Sequence, residues 1–357
     1  MKLDFNKIKH ALLNFDTNIL SPERAKMLLT AVPSTEEIEL IKSFNGDFNK
    51  LDTAEKFVYT IQQVPRPSER LQCFYYTKRI SECTNSIKNF SEKVINTCHD
   101  IIKSIKFSLL LELVLAVGNV LNSGSFKGGA FAFKIDLLPK LIDTRTNRNT
   151  CLLNFIIELL TNVEKYKSNS VIDWTSDLYS VSIMERGVVK VINSDLIEVK
   201  KMIDHFEVER EFETDIEGDC FGEKLVEILE NSKKELKIVE EAVKNANQSV
   251  SRLIAFFGED PDKVDFDYFI DNLSEFRKLF LKVVNDFKKN SEIKEKRNKV
   301  SGLGLGSSPV ASRSNSKIDP MASPSYTRGS EGPGLLDSLL GELKSGKAFA
   351  RRREVSL

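Results

Sequence analysis

The stretch "LAVGNVLNSGSFKGGAFAFKIDLLPKLIDTRTNRNTCLLNFIIELL", residues 115–160, decides how the chain is read. It starts in an apolar run of helical character and meets the pair Gly118-Asn119. It then spreads Gly124, Gly128 and Gly129 around Lys127 and closes on a leucine-rich segment. A phosphate-binding loop would place such glycines between a strand and a helix N-terminus, with a lysine followed by Ser or Thr. Here the Gly-Asn pair follows a helix, Lys127 precedes Gly128, and Lys134 precedes Ile135. The nucleotide reading fails on context. What the stretch offers is close backbone approach. Gly118 removes a side chain from a helix face, Gly124, Gly128 and Gly129 permit positive φ, and Phe126, Phe131 and Phe133 supply aromatic area. The amides of Asn119 and Asn122 can hydrogen-bond exposed main chain. The expected occupant is an extended polypeptide bearing large side chains.

Outward from this stretch the chain reads as helix up to about residue 295. Ser21 before Pro22 is a capping signal, and Ser34 with Glu37 and Asp52 with Glu55 both have capping-box spacing. Pro65 and Pro67 break the chain before a further helix. The best strand candidate is "GVVKVI" around Val188. Over residues 221–257, Leu225, Ile228, Ser232, Leu236, Val239, Val243, Ala246, Val250 and Leu253 step by three and four, a heptad seam. It fits a long helix packed in its own bundle or an intermolecular coiled coil; the serine and alanine in the seam weaken a free-standing zipper. Gly258 and Pro261 break this helix, and a last one presents Leu273, Phe276, Leu279, Phe280, Val283, Val284 and Phe287 on one face.

Composition narrows the function. The 357 residues carry 52 basic and 52 acidic side chains, so no global field points to nucleic acid. Five cysteines (Cys73, Cys83, Cys98, Cys151 and Cys220) lack C-x-x-C spacing and read as reduced core thiols. His10, His99 and His205 share no metal spacing, and no nucleophile elbow or catalytic carboxylate pair stands out, so no enzyme, metal or cofactor is expected. No apolar run reaches the roughly 18 residues of a membrane span. The chain is expected to be soluble and cytoplasmic.

Composition shifts at residue 301. Residues 301–334 hold nine Ser, six Gly and four Pro, too little apolar area to offset chain entropy, so a disordered linker is expected. Pattern then returns in "LLDSLLGELKSGKAFARRR", where Leu336, Leu339, Leu340 and Leu343 form one stripe of a short amphipathic helix. Phe349 and the run Arg351, Arg352 and Arg353 follow. The stripe is expected to enter a groove of another protein or to fold back on the bundle.

These residues together resemble a known family. Gly118, Asn119, Leu121, Asn122 and Gly124, then Phe133 and Lys134, then Leu138, Leu141, Asp143 and Thr144, with Leu152, Leu153 and Glu158, are similar to the central signature of the formin homology 2 domain. The resemblance spans roughly residues 1–298. The C-terminal Leu336, Asp337, Leu339, Leu340, Leu343, Gly346, Ala348 and Phe349 with the arginines resemble the autoregulatory tail of Diaphanous-related formins, Leu336 standing where the family has methionine. The resemblance implies an all-α, elongated helical bundle with a long coiled-coil-like helix over residues 1–298. A linker over 299–333 and a regulatory tail over 334–357 would follow. It implies a cytoskeletal protein that promotes nucleation and barbed-end elongation of unbranched actin filaments. The glycine-rich stretch would be the post (Gly118, Asn119, Asn122, Gly124, Phe131 and Phe133) that receives the lasso of a second formin subunit. Lys134 matches a lysine that faces actin in the family, and is otherwise an ordinary solvated lysine. The tail would bind the formin N-terminal inhibitory domain, a lock that Rho-family GTPases release. The family's lasso, its linker, the first part of its knob and its polyproline region would lie upstream of Met1, so the chain alone is expected to nucleate weakly. The alternative is a helical signalling scaffold that recruits partners through the tail and does not touch actin.

Overall fold

A computed structural model of the chain describes residues 4–32, 36, 39, 51–124, 128–146 and 150–301, with side chains described up to 293. The helices are α1 (Phe5–Asn14), α2 (Pro22–Leu29), α3 (Thr53–Ile61), α4 (Pro67–Lys103), α5 (Ile105–Leu121), α6 (Leu137–Lys140), α7 (Leu152–Asn162), α8 (Glu164–Ser168), α9 (Trp174–Asp177), α10 (Tyr179–Ser182), α11 (Val188–Glu211), α12 (Phe221–Phe256) and α13 (Phe266–Ser301). The fold is all-α. Among the described residues no strand forms, and the β-type pairing is a single bridge between Arg145 and Cys151.

Local signals place the helix starts. Ser21 caps α2 by accepting from the Arg24 N–H, and Asp52 and Glu55 form the reciprocal capping box of α3. The Ser34–Glu37 pair lies outside the described residues. Pro67 opens α4, which runs 37 residues. The strand candidate at Val188 is instead the first turn of α11. Gly187 at φ 72° starts it, and Val188, Ile192, Val199, Met202, Ile203 and Phe206 are buried at helical spacing. That longer period outweighs four β-branched residues read alone.

The chain divides into two compact units, residues 1–98 with 184–252, and residues 99–183 with the chain from 253. In the first, Phe15 stacks on Phe74 at 4.3 Å and meets Phe221 edge-on at 5.1 Å. Of the heptad seam, Leu225, Ser232, Val239, Val243 and Ala246 are buried within it, while Ile228, Leu236 and Val250 are part-buried and Leu229, outside the seam, is buried beside them. Gly222 is required here, because a Cβ would stand 2.9 Å from the Arg210 carbonyl oxygen.

The second unit is built around Trp174. Phe107 stacks on its ring at 5.1 Å, Phe276 stacks at 5.4 Å and Phe280 meets it edge-on at 5.4 Å. Helix α7 buries Leu152, Leu153, Phe155, Ile156, Ile157, Leu159 and Leu160. All five cysteines are free, and Cys73, Cys83, Cys98 and Cys151 are buried. Burial pushes the Cys83 thiol up to about 11 and the Cys98 thiol up to about 12, which leaves both protonated and inert at neutral pH.

Candidate docking surface

The glycine-rich loop leaves the end of α5 in the second unit. The Asn122 N–H and Nδ2 both donate to the Gly118 carbonyl, at 3.0 and 2.9 Å, closing the last turn. Gly124 follows at φ +85° and Gly129 at φ +75°, conformations that L side chains rarely adopt. The side chain of Asn119 then fastens the returning strand of the loop. Its Nδ2 donates to the Ala130 carbonyl at 2.9 Å and its Oδ1 accepts from the Ala130 N–H at 2.7 Å. Ile135, Leu138 and Leu141, in and around α6, are buried and anchor the end of the loop. The Leu153 N–H donates to the Leu141 carbonyl at 3.2 Å, which ties the loop to α7.

This geometry distributes the expected residues unevenly. Gly118, Asn119 and Asn122 stand in the last turn of α5 with Gly124 just beyond it, and the Asn119–Ala130 bonds bring the neighbouring Phe131 back to that end, whereas Phe126 lies outside the described residues. The Asn119 and Asn122 amides are spent on the loop's own backbone, so they shape the surface and do not present a free amide ladder. No atom lies within 4 Å of a Cβ added at Gly118, so no intrachain contact demands a glycine there. Phe131 is 89% exposed, and Leu121 and Leu137 are exposed beside the loop's two ends. Burying a ring that large from water is worth about 2–3 kcal/mol to whatever covers it.

Lys134 follows Phe133 and is exposed, with its Nζ 3.7 Å from Glu259 Oε2. Glu259 was not expected from the sequence. Gly258 marks a helix stop, but nothing local says where the next side chain points. The tail residues Leu336, Asp337, Leu339, Leu340, Leu343, Phe349, Arg351, Arg352 and Arg353 lie outside the described residues.

One other cluster has metal-ligand chemistry: ligand atoms of Cys83, Asp195 and Glu198 lie within 4.8 Å of one another. Arg79 donates to both Glu198 oxygens at 2.8 Å. Those hydrogen bonds hold the Glu198 carboxyl below its ordinary range, against burial. With a protonated thiol beside an already paired carboxylate, the cluster is a helix-to-helix ion pair. No helix among the described residues is long and apolar enough to cross a membrane.

The described residues thus form an all-α architecture with a glycine-hinged loop that leaves the Phe131 ring exposed. Comparison with known families agrees: residues 1–281 match the Formin Homology 2 Domain. The chain belongs to that family. It is 28% identical to "Protein diaphanous homolog 3" of Homo sapiens over 99% of this chain and 29% of that protein. It is 26% identical to "Formin-like protein 5" of Oryza sativa subsp. japonica, over 89% of this chain and 20% of that protein. With "Formin-like protein 13" of Arabidopsis thaliana it shares 28% identity over 84% of this chain and 24% of that protein. The chain thus spans less than a third of the length of each of these relatives.

Proposed function

We propose that this chain engages actin and promotes nucleation and barbed-end elongation of unbranched filaments. The observation that carries the reading is the match to the formin homology 2 family across residues 1–281. The outward Phe131 and Lys134 on the glycine-rich loop support it. In this reading the loop of Gly118, Asn119, Asn122, Gly124, Phe131 and Phe133 is a post for an extended segment of a second formin subunit, and Lys134 faces an acidic surface of actin. Residues 1–298 form the working domain, 299–333 the linker and 334–357 a Diaphanous-type tail. The tail's leucine stripe binds a formin N-terminal inhibitory domain, its arginines add electrostatic attraction, and a Rho-family GTPase acts on it indirectly. The protein works by binding, without catalysis or cofactor, at the cytoplasmic actin cytoskeleton.

The test is the rate of actin assembly from monomers with the purified chain, alongside a version ending at Gly329. Acceleration by both places activity in the helical domain, as proposed. Acceleration by the full chain alone moves it to the tail. Absence of both acceleration and actin co-sedimentation overturns the actin reading and favours a helical scaffold that recruits partners through the tail.

A further inference from the structure

We infer that Glu259 is the positioning residue for Lys134, an inference that rests on the actin reading above. Helix α12 ends in a Schellman motif: the Gly258 N–H donates to the Ala255 carbonyl at 2.9 Å and the Glu259 N–H to the Ile254 carbonyl at 3.2 Å. Gly258 takes the left-handed conformation this needs, at φ +73°. The residue after that glycine is commonly apolar and packs back on the helix. Here it is a glutamate whose side chain is only 11% exposed. A carboxylate withdrawn from water must be compensated. Among the described residues its ion-pair partner is the Lys134 ammonium, 3.7 Å away, on a side chain that is 77% exposed.

The asymmetry is the point. Glu259 is fixed by backbone hydrogen bonds and burial, while Lys134 is long, flexible and reaches out from an irregular segment. A part-buried carboxylate on a fixed backbone restricts where the ammonium spends its time without removing it from solvent. Lysine loses rotamer entropy when immobilised at an interface, and a partner that already restrains it lowers that cost. The same geometry changes how Lys134 must be tested. Lys134→Asp would set two carboxylates against each other at the helix end, so lost binding there would not separate a missing contact from a disturbed turn. Lys134→Met avoids this.

The experiment is actin co-sedimentation with the full chain and its Lys134→Met, Glu259→Gln, Glu259→Asp and Lys134→Met/Glu259→Gln variants, with thermal unfolding of each. Lys134→Met and Glu259→Gln should each weaken binding by about two- to fivefold, the scale of a part-exposed ion pair. The double variant should be no weaker than Lys134→Met alone, and Glu259→Asp should recover part of the loss. A merely structural role would give losses that multiply in the double variant and track the thermal midpoint, which overturns the inference. Weakened binding by Lys134→Met with full binding by Glu259→Gln also overturns it, and leaves the actin reading standing. A parent chain that does not bind actin removes that reading and the inference with it, while the unfolding data still report whether the two side chains are coupled.

Discussion

Arg70 and Asp219, 149 residues apart in sequence, form a two-pronged ion pair, with Nη1 to Oδ1 at 2.9 Å and Nη2 to Oδ2 at 2.6 Å. Both side chains are nearly buried, at 3% and 5% exposure. Arg70 also donates to the Leu12 carbonyl at 3.2 Å and lies over the Phe221 ring, while Asp219 accepts from Thr214 and from the Phe221 N–H. One pair thus latches the connection between α11 and α12 onto α1 and α4. Removing one partner strands the other charge in the core. Arg70→Met should lower the unfolding free energy by about 3–5 kcal/mol, whereas Arg70→Met with Asp219→Leu should recover much of that loss. Urea unfolding followed by circular dichroism reads both.

The same region carries two carboxylates shifted in opposite directions. Burial alone would raise Asp219, but hydrogen bonds from Arg70, Thr214 and the Phe221 N–H and the Arg70 charge outweigh it, so it lies below its ordinary 3.8. Its stabilisation is present above 3.8 and is lost as pH falls through the lowered folded value. Glu209 is raised above 4.5 by burial, which Arg66 and His205 only partly offset. Its ionised form costs stability above that raised value, and acid relieves the cost. Glu209→Gln should therefore gain most over the parent at neutral pH, the gain shrinking towards pH 4.5. Asp219→Asn should decline less steeply than the parent below about pH 4. Urea midpoints measured from pH 3 to 7 decide both, and a constant Glu209→Gln difference would sink the first.

Two helical glycines should respond oppositely to alanine. Gly222→Ala drives a Cβ against the Arg210 carbonyl, 2.9 Å away, and should cost about 1–3 kcal/mol as α11 and α12 are forced apart. Gly118→Ala meets open space and should stabilise α5 by up to about 1 kcal/mol. If the loop docks a second subunit, Gly118→Ala should raise the thermal midpoint yet weaken self-association in sedimentation. Unchanged self-association in a dimerising parent would remove Gly118 from the interface.

Trp174 is the single tryptophan of the chain and is fully buried among Phe107, Phe276 and Phe280. Its fluorescence reports the second unit alone. Phe276→Ala removes a stacked ring and should cost about 3–5 kcal/mol. The fluorescence transition in urea should move to lower denaturant with it, whereas Arg70→Met, in the first unit, should shift chiefly the circular dichroism signal. Coincident shifts for both variants would mean the two units unfold as one.

Asn119 is predicted to act on the loop before it acts on any partner. Asn119→Ala deletes both bonds to Ala130 and should cost on the order of 1–2 kcal/mol locally. Limited proteolysis should then cut near Phe131 faster than in the parent, with the global midpoint little changed.

Sequence alone determined the elements, because their signals are local. The caps Ser21 and Asp52 with Glu55, the breaks at Pro65 and Gly258, and the steps of three and four along α12 and α13 each act within a few residues. The signature around Gly118 and Asn119 led to the family for the same reason, as a contiguous pattern. The tertiary structure decided what contiguous patterns leave open. Val188 reads as strand until Val199 and Phe206 join its helical face. Asn119 could donate to any backbone, and only the fold brings back Ala130 to receive it. Arg70 finds Asp219, and Lys134 finds Glu259, across distances where no periodicity operates. Which charge meets which is set by how helices pack, since the energy of a buried ion pair depends on the final few ångströms of separation and on how much water has been excluded.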